Sequence, residues 1–367
     1  MKFAYKPGLL LLLTVIALAF ASVFTANAEP YLAYQNQLKC QACHVNPNGG
    51  GMRNDFGRAF GQNVLAQTPT DLNANDWAKI SEYLSVGANA RFNANFSQDE
   101  NDNRQQSFDV ESAAVYLHLK LPISGLSFYI DEQIAPGAAL NREAWAMMTF
   151  DSGHQLKVGK MFLPYGLRIE DDSAFIRQVT GMNFDNSDTG VEYSLNYTNT
   201  SFNFFVSNGT SQASNDDDEF LYGARAEHLF SRARIGATAV INAGENTTQM
   251  LNLYAGYNWQ AFTILAEADF IKLENANPQT GGDVEQSISL VELNYQWRKG
   301  LNIKLTTEFF DPDLDIDENQ QTRHSLVTEY TPFSNIQLRF GLRLRDDIPQ
   351  KPTQNNEMIF LQSHFYF

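Results

Sequence analysis

From residue 83 onward the chain alternates apolar and polar positions with a period of two, and the alternation breaks at regular intervals. The clearest stretch sets Ile336, Leu338, Phe340, Leu342 and Leu344 against Gln337, Arg339, Gly341, Arg343 and Arg345. A strand points successive side chains to opposite faces, so this segment has one greasy face and one cationic face. Alternation alone fits a soluble sandwich as well as a membrane barrel, and the spacing of the breaks separates the two.

Sixteen strands are predicted, over residues 83–96, 106–121, 125–133, 141–150, 155–163, 189–198, 200–208, 220–229, 232–241, 248–257, 262–272, 286–297, 301–310, 323–331, 336–345 and 356–367. Their connections alternate. Tight ones such as Ser152-Gly153, Asn199, Ser231, Lys299-Gly300 and Phe333-Ser334-Asn335 are followed by long polar ones such as 97–105, 209–219, 273–285 and 311–322. An even strand number, strands of about 9–11 residues, and short turns facing long loops are the plan of a bacterial outer-membrane barrel with both termini in the periplasm. Closure removes every sheet edge, which lets a β structure meet hydrocarbon without unpaired backbone groups. The fold class expected is therefore all-β: a transmembrane antiparallel β-barrel of about 16 strands. An aromatic content of 13%, with 27 Phe, supplies the rings for interfacial girdles. The ending on Phe367, with Phe365, Leu361 and Ile359, is similar to the terminal aromatic signal of such barrels.

Residues 1–28 have a basic start at Lys2 and Lys6, an apolar stretch over 9–20 and a small-residue exit at Ala26-Asn27-Ala28, the three-part plan of a cleaved secretory signal. A retained anchor is the rival reading, opposed by the Ala-x-Ala site and the polar sequence beyond it. The mature chain is expected to begin at Glu29. Losing Lys2 and Lys6 takes the formal charge from −16 to −18, which argues against binding nucleic acid. Three regions follow: 1–28 as signal peptide, 29–75 as a short aperiodic segment too small for a comfortable core of its own, and 76–367 as the barrel.

The short segment contains both cysteines of the chain, in Cys40-Gln41-Ala42-Cys43-His44. In a Cys-x-x-Cys-His run the thiols form thioethers with the vinyl groups of one haem c while the adjacent imidazole is directed at the iron. A disulfide between Cys40 and Cys43 is the alternative; a redox-active pair would be expected in a thioredoxin-like βαβ unit, which this chain lacks. The loop Asn46-Pro47-Asn48-Gly49-Gly50-Gly51-Met52 has turn composition, and Met52 is the first candidate for the second axial ligand. Met147, Met161, Met250, Met358, His118 and His364 fall on candidate lumen faces as rivals. Phe56 and Phe60 share one face of a short predicted helix and would cover the porphyrin or pack on the wall. Arg53 and Arg58 would pair with haem propionates or with nearby carboxylates.

The longest connection, 164–188, mixes both charge signs from Pro164 to Asp172 and at Arg177; its position resembles that of the loop folded into the pore of sixteen-stranded porins, against a plain surface loop as the alternative. Outer loops carry acids at Asp99, Glu100 and Asp102, at Asp216, Asp217, Asp218 and Glu219, and at Asp311, Asp313, Asp315, Asp317 and Glu318. These read as solvated surface or as cation-concentrating clusters, without His or Cys to make a selective transition-metal site. The run Gly159-Lys160-Met161-Phe162-Leu163-Pro164-Tyr165-Gly166 is similar to a strand-to-loop junction of phosphate-selective-type porins.

The combination of signal, Cys40-Gln41-Ala42-Cys43-His44 and sixteen segments resembles the fused monohaem cytochrome-porins of the outer membrane, best known from iron-oxidising bacteria. The resemblance implies one haem c held at Cys40, Cys43 and His44, plugging the periplasmic side of the barrel. It further implies electron exchange between an extracellular partner such as Fe(II) and a periplasmic c-type cytochrome. The alternative is a solute-diffusion porin whose haem segment is a plug or redox-sensing gate. Haem enzymology needs an open iron position with acid and base groups beside it, and no distal His is identifiable. Any enzymatic activity would therefore be electron-transfer oxidoreduction.

Overall fold

A computed structural model describes residues 29–70, 77–211, 214–215, 218–244, 246–347 and 355–367; the expected signal peptide lies outside them. The strands are β1 Leu84–Asp99, β2 Arg104–Lys120, β3 Leu126–Ala135, β4 Leu140–Thr149, β5 Gln155–Met161, β6 Asp188–Asn196, β7 Thr200–Ser207, β8 Leu221–Leu229, β9 Ala233–Asn242, β10 Thr248–Trp259, β11 Phe262–Leu273, β12 Val284–Arg298, β13 Leu301–Asp311, β14 Gln321–Tyr330, β15 Ile336–Asp347 and β16 Asn356–Tyr366. Each hydrogen-bonds antiparallel to its sequence neighbours, and β1 pairs with β16 from Asn89 opposite Tyr366 to Asp99 opposite Asn356, closing the barrel. The sixteen expected strands are all present, each end within three residues of its predicted place.

Alternation explains the wall. Along β10, Leu251, Leu253 and Tyr257 are exposed on the outer face while Met250, Asn252 and Tyr254 are buried on the inner one. The same parity puts Ile359 and Phe365 of β16 outside and His364 inside. The inner faces are rich in charge, yet Asn252, Asp269 and Glu143 are 0 % exposed. Side chains facing a water-filled channel would be wet, so these are covered from within.

Two parts of the chain provide that cover. One is the N-terminal segment, built from α1 (Pro30–Gln35), a 3₁₀ turn (Cys40–Ala42) and α2 (Asp55–Phe60), which continues as a π-type turn over Gly61–Leu65. Asn54 caps α2, its side-chain oxygen accepting from Gly57 N at 2.9 Å. The segment crosses the lumen: Tyr31 reaches Glu329 on β14, Asn46 reaches Glu143 on β4, Asn48 reaches Glu192 on β6, and Met52 N donates to Tyr129 Oη on β3. The other is the 162–187 connection, which folds inward with a short helix, α3 (Phe175–Gln178). Its Leu167, Ile169 and Phe175 are buried in one cluster with Tyr31, Leu32, Tyr34 and Val45 of the N-terminal segment. The longest loop is thus a pore-filling loop.

Candidate functional site in the barrel lumen

The 3₁₀ turn organises the Cys-x-x-Cys-His run. The amides of Cys43 and His44 both donate to the Cys40 carbonyl, at 3.1 and 3.0 Å, which brings the two cysteines one turn apart with His44 directly after. Both cysteines are free thiols. A short two-strand contact then pairs His44 with Arg53, and Val45 N donates to Met52 O at 3.0 Å. Asn54 staples the turn from the far side: its amide N donates to Cys43 O, and its side chain donates to Gln41 O and His44 O. Two glycines admit this packing. A Cβ at Gly49, where φ is +86°, would lie 3.3 Å from Cys40 Cβ, and one at Gly57 would lie 2.0 Å from Cys43 O.

Cys40, Cys43 and His44 border a single cavity of about 580 Å³ inside the barrel. That volume falls within the roughly 300–1,000 Å³ common for ligand and cofactor sites. Burial, reinforced by the Arg53 charge, pushes the His44 imidazole from 6.5 down to about 4. The ring is therefore neutral near pH 7, the form with a lone pair to offer a metal. Its Nδ1 is buried without a hydrogen-bond partner. Two free thiols one turn apart, a neutral imidazole on the next residue, a glycine corner against Cys40 and a cavity of cofactor size together fit a covalently held haem.

Cations dominate the wall beside Cys40. Arg225 and Arg234 share Glu227, at 2.8 and 3.6 Å. Arg168, from the inward loop, donates to Leu163 O at 2.9 Å, while its Nε is buried without a partner. Burial pushes the Arg168 guanidinium below its ordinary range, with Glu143 the largest opposing charge. Across the cavity Arg53 lies over the Tyr366 ring at 3.9 Å. Arg58, by contrast, pairs with Asp55 and donates to Arg53 O, away from the cavity. Of the two candidate aromatics, Phe60 borders the cavity and Phe56 is half exposed.

Met52 is buried, with Gly87 of β1 beside its side chain, and it borders a neighbouring crevice together with His44, His118 and Met147. Of the other candidate ligands, Met358 and His364 of β16 border the cavity that the thiols share. Arg168, Arg225 and Arg234 carry no sequence motif, although strand parity places Arg225 and Arg234 on inner faces. Among the described residues, the grouping of carboxylates close enough to hold a metal is Glu29, Glu170 and Glu329 inside the lumen; Asp216 and Asp217 of the outer loops lie outside the described residues.

No protein-family model and no curated protein matches this sequence. Solved structures do. OmpT of Vibrio cholerae superimposes with a TM-score of 0.59 at 11% identity, covering 79% of this chain and 100% of that one. The anion-selective porin from Comamonas acidovorans gives 0.61 at 10% identity, covering 77% and 99%. The outer membrane channel DcaP of Acinetobacter baumannii gives 0.57 at 12% identity, covering 77% and 97%. At such identities the likeness carries the fold alone. This chain has the closed sixteen-strand barrel fold of outer-membrane porins.

Proposed function

We propose that this chain is an electron conduit of the Gram-negative outer membrane, in which one covalently held c-type haem occupies the lumen of a porin-type barrel. The supporting observation is that Cys40, Cys43 and His44 border the same cavity inside the barrel. When bound, the haem supplies reversible one-electron exchange at its iron. The residues of the chain do the rest. Cys40 and Cys43 would hold the group, neutral His44 would offer a nitrogen to its iron, and Arg53 and Arg168 would offer charge for its propionates. Met358 and His364, which border the cavity, would offer a further ligand to the iron, beside the sequence-based choice of Met52. The inward loop and the N-terminal segment narrow the lumen around the cavity, and the charged groups they place there would tune a redox potential. Partners on this reading are lipid, a periplasmic c-type cytochrome on the short-turn side and an extracellular donor or acceptor such as Fe(II).

The test is mass analysis, optical spectroscopy and redox titration of the purified barrel, with His44→Ala alongside. One added tetrapyrrole and a titratable iron are expected, with an altered spectrum and potential in the variant; an unmodified polypeptide would sink the reading.

The second reading is a solute-diffusion porin with a plugged or gated lumen. The solved neighbours are porins and channels, and their likeness supports diffusion better than electron transfer. Single-channel recording decides between the two. A filled conduit passes little ionic current, whereas a steady porin-sized conductance belongs to the diffusion channel.

A further inference from the structure

On another part of the wall of the same cavity, the lumen holds a buried ionic network around Glu29. Lys304 of β13 donates to Glu29 at 2.7 Å and also pairs with Glu329 at 3.0 Å and Glu292 at 3.8 Å. Arg339 of β15 bridges Glu170 at 3.2 Å, Glu329 at 3.5 Å and Glu29 at 3.9 Å. Arg91 of β1 pairs with Glu170 at 2.8 Å. Four carboxylates, those of Glu29, Glu170, Glu292 and Glu329, thus meet three cations, those of Arg91, Lys304 and Arg339. With all four carboxylates ionised the network is one positive charge short, a deficit that a proton on Glu29 or a further cation would fill. The Glu29 side chain is 0% exposed; it shares a hydrogen bond with the Glu170 side chain, and no N–H group donates to its Oε2. Burial raises its carboxyl well above the usual carboxylate range, Lys304 opposing, so that without a further cation Glu29 takes up a proton.

Glu29 is also the residue that directly follows Ala26-Asn27-Ala28. Pro30 after it favours an extended backbone, and Glu29 has φ −122° and ψ 151°. Its carbonyl accepts from Leu32 N at 3.0 Å, so α1 fixes the main chain of this residue at the network. Cleavage after Ala28 would turn the Glu29 backbone nitrogen into an ammonium without moving it.

We propose that the α-ammonium released by signal cleavage is the fourth cation of this network, so that export processing itself locks the N-terminal segment into the lumen. The site takes a cation. A divalent ion held by Glu29, Glu170 and Glu329, whose oxygens come within 4.8 Å of one another, is the competing source of that charge. The inference rests on the secretory reading of residues 1–28 and is independent of the haem.

The test uses the exported, full-length protein. N-terminal sequencing and intact mass establish where the mature chain begins; a start other than Glu29 overturns the secretory cleavage assigned here and the lock with it. Tryptic cleavage at Lys39 in the folded, heat-modifiable barrel then reports whether the segment is seated. Inserting Gly-Ser-Gly between Ala28 and Glu29 displaces the ammonium and is expected to leave the barrel folded while speeding that cleavage at least tenfold. Adding Glu292→Gln to the insertion restores three charges against three and should return most of the protection, whereas Glu292→Gln alone should reduce it. Equal protection with and without the insertion overturns the proposal, as does failure of Glu292→Gln to rescue. Loss of protection on chelation with EDTA, restored by Mg²⁺ or Ca²⁺, also overturns it and assigns the charge to a metal ion.

Discussion

Asn48 donates to both oxygens of Glu192, at 3.0 and 2.9 Å, while Lys157 pairs with the same carboxylate at 2.6 Å. A hydrogen bond to a buried charge contributes about 1.5–3 kcal/mol. Asn48→Ala is therefore expected to loosen the N-terminal segment by about that amount and to speed tryptic cleavage at Lys39 by tenfold or more. Lys157→Met leaves Glu192 a buried charge without its cation, a change that costs roughly 3–5 kcal/mol, and should release the segment further in the same assay. Gly49 bears on the thiols instead. Its φ of +86° strains any side chain, and a methyl group there would press on Cys40 at 3.3 Å. Gly49→Ala should lower the fraction of chains carrying covalent haem several-fold by mass analysis, while Gly137→Ala, at φ +75° with nothing within 4 Å, should not. Loss of attachment in both, or in neither, would contradict the role assigned to this corner.

The inward loop is clamped chiefly at Asp171, which pairs with Arg343 and with Arg323, the latter at 3.2 Å. Burial opposes ionisation there, but the Arg343 and Arg323 charges outweigh it and hold the Asp171 carboxyl below the usual carboxylate range. A carboxyl depressed in the folded state stabilises it above the ordinary value of 3.8, and that contribution is lost as pH falls through the lower folded value. The loop should thus stay seated down to about pH 4 and loosen only below it, read as the onset of enlarged single-channel current. Asp171→Asn should show that enlarged current already at pH 7; an unchanged current would place the clamp elsewhere. This element also marks the limit of sequence reading. Period-two alternation revealed the strands because each side chain there answers to one of two environments, lipid or lumen. The loop and the N-terminal segment have no such period: their positions are set by pairs far apart in the chain, such as Asp171 with Arg343 and Asn46 with Glu143. The Cys-x-x-Cys-His run was legible because its chemistry is local to five residues. Arg168 and the Glu29 network were not, because their meaning lies in partners more than a hundred residues away.

At the scale of the whole molecule, the wall is sealed and the interior is filled by the protein itself. Deleting residues 30–67 removes the N-terminal half of the filling while leaving every strand of the sheet in place. Such a barrel should still fold and shift on gels after heating, but pass several-fold more ionic current than the parent. Equal currents would mean that the segment does not occupy the lumen in lipid.

The seam between β1 and β16 has a bearing on how the protein is made. The first strand cannot find its second partner until the last eleven residues of the sheet have emerged, so the cylinder stays open along one side throughout synthesis. The N-terminal segment, bonded to β3, β4, β6 and β14, has all four of those strands beside it only once the sheet has curled, so the seating of the plug and the zipping of that seam belong to one late stage of assembly.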